Sequence, residues 1–237
     1  MVRTFRVVVF ALVLLIAAGT AFAYRLICIP TAETLPDGMY RLEIAAPLNE
    51  SAPATAPTHD KWLPCYKFDG TVFKGFEISV ISGATPSDNL NPLSWRANNT
   101  QVSLSWTVAR ETEDMPGYGM GVLNWYDSED HVNHEESAFA GIYKTVPIGL
   151  KYPATLHLLA GTKALNGVFG GFLLPLSKTF VVAAEYSPSA LMTPGNTDEN
   201  FVWALGYNHN AHWRFKYANI GGDHALGIVY TGKWLQK

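Results

Sequence analysis

From Val72 to Trp234 the chain alternates apolar and polar residues in short runs separated by turn signals, and this period of two constrains the fold more than any other feature. In TQVSLSWTVAR, Val102, Leu104, Trp106 and Val108 share one face, while Gln101, Ser103, Ser105 and Thr107 share the other. Successive strand side chains point to opposite sides of a sheet, so one side is greasy and the other small and polar. A water-soluble sandwich buries the greasy side. A barrel in lipid turns it outward and keeps the polar side for its lumen. The pattern recurs at Phe180, Val182, Ala184 and Tyr186, at Phe201, Trp203, Leu205 and Tyr207, at Trp213, Phe215 and Tyr217, and at Leu226, Ile228 and Tyr230. Glycine and alanine blur the faces in PGYGMGVLNWY, SAFAGIYKTV, ATLHLLAGT and VFGGFLLPL. The predicted fold is all-β: an antiparallel up-and-down transmembrane barrel of about 10–12 strands.

The alternation lies behind a leader. Met1–Ala23 has a basic start at Arg3 and Arg6, an apolar core and an Ala21-Phe22-Ala23 site, the signature of a cleaved secretory signal peptide. Loss of two arginines with the leader leaves 15 basic against 20 acidic residues, a formal charge of −5. That balance disfavours nucleic acid as a partner. After the leader no run of about 18 uncharged apolar residues occurs, so a membrane-resident mature chain would cross as a barrel.

Three regions follow: the signal peptide at 1–23, an N-terminal segment with the first strands and a linker at 24–70, and the main barrel at 71–237. LPDGMYRLEIAA sets Met39, Arg41 and Glu43 against Tyr40, Leu42 and Ile44 and reads as an early strand. Ala46–Pro57 is rich in proline, alanine and serine and reads as a loop. Asp69-Gly70, between KWLPCYKF and TVFKGFEISVIS, is a strong signal for a hairpin turn. Asp127–Glu136 and Pro188–Asn200 are the candidates for long outer loops.

Chemistry is sparse. Glu77, Glu185, Arg214 and Lys216 fall on the lumen face, either as a polar pore lining or as an internal salt-bridge network, the latter favoured because interior charges need partners. His131 and His134, in the acidic loop DSEDHVNHEE, are weak metal candidates whose spacing matches no closed tetrahedral site. Ser103, Ser105, His157 and Glu185 supply types needed for nucleophilic catalysis, but no motif selects them. The spaced glycines lack the Lys-Ser/Thr ending of a phosphate loop, so the sequence calls for no cofactor and no enzymatic activity. Two readings stand for Cys28 and Cys65: a disulfide tying the N-terminal segment to the first strands, or two thiols.

LPDGMYRLEI near the mature start and LNGVFGGFLLPLSKTFVVAAEYS, where a glycine-rich strand precedes one ending in Glu185-Tyr186, resemble the YjbH-type outer-membrane barrels associated with exopolysaccharide production. The resemblance implies a single barrel module with a role in polysaccharide secretion or envelope maintenance, and it implies no catalytic residues. The expected function is therefore structural or narrow-pore transport in a bacterial outer membrane. The expected partners are outer-membrane lipid, the barrel-assembly machinery and polysaccharide. The competing classes are a secreted soluble barrel or sandwich binding a small apolar ligand and a lipid-modifying envelope enzyme. The row Trp106, Phe180, Trp203, Phe215 and Tyr230 separates the first two, since it faces outward in a membrane barrel and inward in a soluble binder.

Overall fold

A computed structural model describes residues 30–48, 65–83, 100–127, 136–186, 201–220 and 223–234. Twelve strands run in chain order: β1 (Met39–Pro47), β2 (Cys65–Phe73), β3 (Phe76–Gly83), β4 (Thr100–Ala109), β5 (Gly117–Asp127), β6 (Ser137–Val146), β7 (Ala154–Gly161), β8 (Gly167–Pro175), β9 (Phe180–Tyr186), β10 (Phe201–Asn208), β11 (Trp213–Ile220) and β12 (Asp223–Lys233). Each pairs antiparallel with its sequence neighbour. β1 then pairs with β12, from Met39 opposite Lys233 to Pro47 opposite Ala225, and closes the sheet. Closure leaves no strand with unpaired edge groups.

The connections sort by mouth. Residues 74–75, 110–116, 147–153, 176–179 and 209–212 join strands at one mouth, hereafter the short-turn mouth. The ends of β1, β3, β5, β7, β9 and β11 lie at the other mouth, where the described connection 162–166 joins β7 to β8. The predicted long loops Asp127–Glu136 and Pro188–Asn200 lie, but for Asp127 and Glu136, outside the described residues.

Burial follows the alternation. On β10, Val202, Ala204 and Gly206 are buried while Phe201, Trp203, Leu205 and Tyr207 are exposed. Trp106, Phe180, Trp203 and Phe215 are all more than a third exposed. Tyr230 is half-buried among Tyr40, His212 and Trp213. The apolar row thus faces away from the interior.

The interior is divided. From β5 to β9 it is apolar, a buried cluster of Leu123, Phe139, Leu159, Phe169, Leu173, Val181 and Ala183 completed by Leu165 from the 3-10 turn Lys163–Leu165. From β11 round to β3 it carries most of the charged groups. Strand β5 keeps Leu123 in the apolar half by an irregularity in its pairing with β4, where Asn124 takes φ 53° and donates its backbone N–H to Ser103 Oγ at 3.1 Å. Asparagine tolerates that left-handed backbone better than most residues.

The Asp69-Gly70 hairpin signal is corrected by the structure. Both residues lie inside β2, Asp69 opposite Arg41 and Ser79, and the turn falls at Lys74-Gly75. A buried carboxylate needs a cation, and Arg41 on the neighbouring strand supplies it. The turn needs only one residue at positive φ, which Gly75 provides at +70°.

Candidate functional site

The lumen charges come from β11, β1, β2 and β3, strands that adjoin one another around β12. Arg41 donates from Nε to Asp69 Oδ2 at 2.7 Å, and Lys67 reaches the same oxygen at 3.2 Å. Lys216 pairs with Glu43 across β12. Arg214 donates from Nε to Asn208 Oδ1 at 2.5 Å and lies within electrostatic reach of Glu43 and Arg41. Four cations, Arg41, Lys67, Arg214 and Lys216, thus stand with four carboxylates, Glu43, Asp69, Glu77 and Glu185, on the inner face. Such pairs hold only when mutual attraction and hydrogen bonds offset the loss of hydration.

The four singled-out residues are distributed around this wall. Glu77 is fully buried on β3 near the short-turn mouth, and Glu185 is buried on β9 in the opposite half. Arg214 and Lys216 lie one above the other on β11. Alternation puts Glu43 on one face with Met39 and Arg41, and nothing in the sequence pairs it with Lys216.

A second set of contacts was missed altogether. The segment before β1 turns back into the short-turn mouth, where Thr31, Ala32, Thr34 and Leu35 are buried. Leu35 donates its backbone N–H to Glu77 Oε2 at 2.7 Å, and its carbonyl accepts from Thr71 Oγ1 at 3.1 Å. Thr107 Oγ1 accepts from the Thr34 N–H at 2.8 Å and donates to the Ala32 carbonyl at 3.1 Å. Asp37 Oδ1 accepts the Gly75 N–H at 2.9 Å. Gly119 makes the close approach possible, since a Cβ there would lie 2.2 Å from the Ala32 carbonyl oxygen. Glu33 is half-buried beside Arg110 and Glu111, and burial pushes its carboxyl up to about 7, against the opposing pull of Arg110. In sequence this stretch reads only as a polar linker. Its one signal is the isolated Leu35 among threonines.

The groups considered for nucleophilic chemistry are apart. Ser103 accepts from Asn124, and among the described residues Ser105 Oγ and His157 Nδ1 have no hydrogen-bond partner. The His157 ring stacks on Tyr143 with centroids 6.1 Å apart. His131, His134 and Cys28 lie outside the described residues, and Cys65 opens β2. Among the described residues no group of three or more His, Cys, Asp or Glu side chains could hold a metal.

No protein-family profile matches the chain, and no curated protein matches it. Among solved structures it is similar to an outer membrane channel from Pseudomonas putida F1, with 9% identity, a TM-score of 0.37, and coverage of 84% of this chain and 97% of that one.

Proposed function

We propose that this protein is a bacterial outer-membrane barrel with a structural or narrow-path transport role, accessory to envelope polysaccharide secretion. The observation that carries the membrane reading is the outward apolar face. Leu42 and Ile44 on β1, Trp203 and Leu205 on β10, and Leu226 and Ile228 on β12 are exposed while their strand neighbours inside are charged, small or hydroxylated. Water would favour the reverse arrangement.

Dimensions and girdles support the same reading. The ten residues of β4, at about 3.3 Å each and tilted by about 40°, rise about 25 Å, the height of the apolar band of an outer-membrane barrel. Aromatics gather at the short-turn mouth, where Trp234 packs 5.0 Å from Tyr40 and 5.9 Å from Phe68, Tyr230 lies 5.0 Å from Trp213, and Phe180 lies 5.4 Å from Tyr207. Trp125, Tyr186 and Phe201 are exposed toward the other mouth. Amphipathic rings at two levels suit two membrane–water interfaces.

The signal peptide read in Met1–Ala23 supports export, and the YjbH resemblance supplies the polysaccharide part of the reading. The test is fractionation with heat-modifiable gel mobility, followed by bilayer recording. The folded chain is expected in the outer-membrane fraction with small or no conductance, and its deletion is expected to change envelope polysaccharide. Recovery as a soluble periplasmic protein would overturn the membrane reading. Large porin-like steps would overturn the narrow path, and unchanged polysaccharide would remove the accessory role.

A further inference from the structure

We infer that Thr31–Asp37 is a releasable strap, closing a path for small polar solutes at the short-turn mouth. The inference rests on the membrane reading above and adds a moving part to it.

Placement comes first. Every wall group bonded to the strap, from Thr71, Gly75, Glu77, Thr107 and Arg110, lies at the short-turn ends of β2, β3 and β4 or in the turns beside them. With Gly119 of β5 against the Ala32 carbonyl, the strap crosses this sector of the mouth from the β2–β3 turn to the start of β5. Leu35, fully buried, is its apolar anchor.

The attachment is separable from the wall. Each of the strap's bonds named above has a side chain on at least one side, whereas the barrel is held by continuous backbone ladders from β1 through β12. Breaking these named bonds leaves the pairing of β1 through β12 intact. The strap meets β1 through Gly38, at φ +74°, in a turn where Met39 donates its N–H to the Pro36 carbonyl at 3.1 Å. Glycine there adopts the positive φ that the turn needs, and its carbonyl accepts the Trp234 N–H at 2.8 Å, so the strap joins the wall at a fixed point.

The interior next to the strap suits polar cargo. Glu77 turns one oxygen to the strap. Its other oxygen, Oε1, and the hydroxyl of Ser105 are buried without a hydrogen-bond partner among the described residues, and Ser79 stands opposite Asp69 on the neighbouring strand. These groups line adjacent positions, Glu77 standing opposite Ser105 across the β3–β4 ladder. Unpaired buried oxygens form a surface that water or a hydroxylated solute satisfies. The eight charged groups named above include equal numbers of cations and carboxylates, and with the unpaired oxygens they suit small polar solutes.

The experiment uses the mature chain in planar bilayers with potassium chloride. Deleting Thr31–Leu35 is expected to raise mean conductance several-fold, and Thr107→Val, which removes the hydroxyl bonded to Thr34 and Ala32, is expected to raise it less. Thr34→Cys with Thr107→Cys, made with Cys28→Ser and Cys65→Ser, should be silent when oxidised and recover wild-type behaviour on reduction, since the two hydroxyls now lie 3.0 Å apart. Maleimide labelling of Thr34→Cys in the same cysteine-free background reads the strap directly, and Thr107→Val should speed it. Heat-modifiable mobility of each variant confirms a folded barrel. Folded deletion and Thr107→Val variants that conduct no more than wild type would overturn the gate, as would a cross-linked protein that conducts as well as the reduced one. Loss of heat-modifiable folding in the wild type would instead strike the membrane reading itself, while labelling would still report whether the strap moves.

Discussion

Within the strap, burial brings the Glu33 carboxyl into the neutral pH range. Its carboxyl is pushed up to about 7 when seated, first by burial and then by the neighbouring Glu111, with Arg110 pulling the other way. A carboxyl raised above its unfolded value near 4.5 binds its proton more tightly in the seated state. The contribution to seating is thus complete below about pH 4.5 and is lost as pH rises through about 7. A nitroxide at Pro36→Cys, with the two native cysteines replaced by serine, should therefore gain mobility between about pH 4.5 and 7. Glu33→Gln should flatten that profile. An unchanged profile would place the titration on another group. The Lys216–Glu43 pair calls for a different measurement. Each side chain is at least 85% buried, with 15% and 10% exposure. Glu43→Gln should destabilise the barrel by about 3–5 kcal/mol by stranding a buried charge, and adding Lys216→Met should recover part of the loss. Additive effects in a urea-unfolding double-mutant cycle would show that the two are not coupled.

At the scale of the strand, depth in the bilayer sets the cost of a charge. Leu205 lies mid-strand on β10 and is 38% exposed on the outer face. Leu205→Arg should lower folding stability in lipid vesicles by about 2–4 kcal/mol, whereas Leu176→Arg, in the exposed β8–β9 turn, should cost about 0–1 kcal/mol. Equal costs would place Leu205 outside the hydrocarbon. The period of two that puts Leu205 outward was readable because lipid and lumen impose opposite demands on successive residues. It failed where a second physical demand intervened. Asp69-Gly70 carries the composition of a tight turn, yet the Arg41 charge across the ladder holds it in β2. Alternation sets Glu77, Glu185, Arg214 and Lys216 on the less greasy face of their strands, and all four are buried or half-buried. Their partners do not follow from it, because pairing depends on which strands become neighbours and on the strap, whose residues have no periodicity to read.

For the molecule as a whole, the seam between β1 and β12 differs from every other pairing. The other eleven ladders join strands adjacent in sequence, so each closes over one connection, far less chain than the seam encloses. The seam joins the two ends of the wall, and loop-closure entropy concentrates in that one event, growing with the logarithm of the chain enclosed. Because Met39 and Lys233 are opposite one another at the same mouth, a short linker between them converts the seam into a hairpin like the rest. A circular permutant opened in the 176–179 turn should consequently insert as a heat-modifiable barrel, with its slowest step moved to the new opening between β8 and β9. Folding kinetics insensitive to the permutation would show that the seam is not limiting. The same seam makes synthesis order matter. Until the last eleven-residue strand, Asp223–Lys233, has been made, the wall keeps two free edges, and a nascent chain halted before that point needs a holdase to prevent edge-to-edge association.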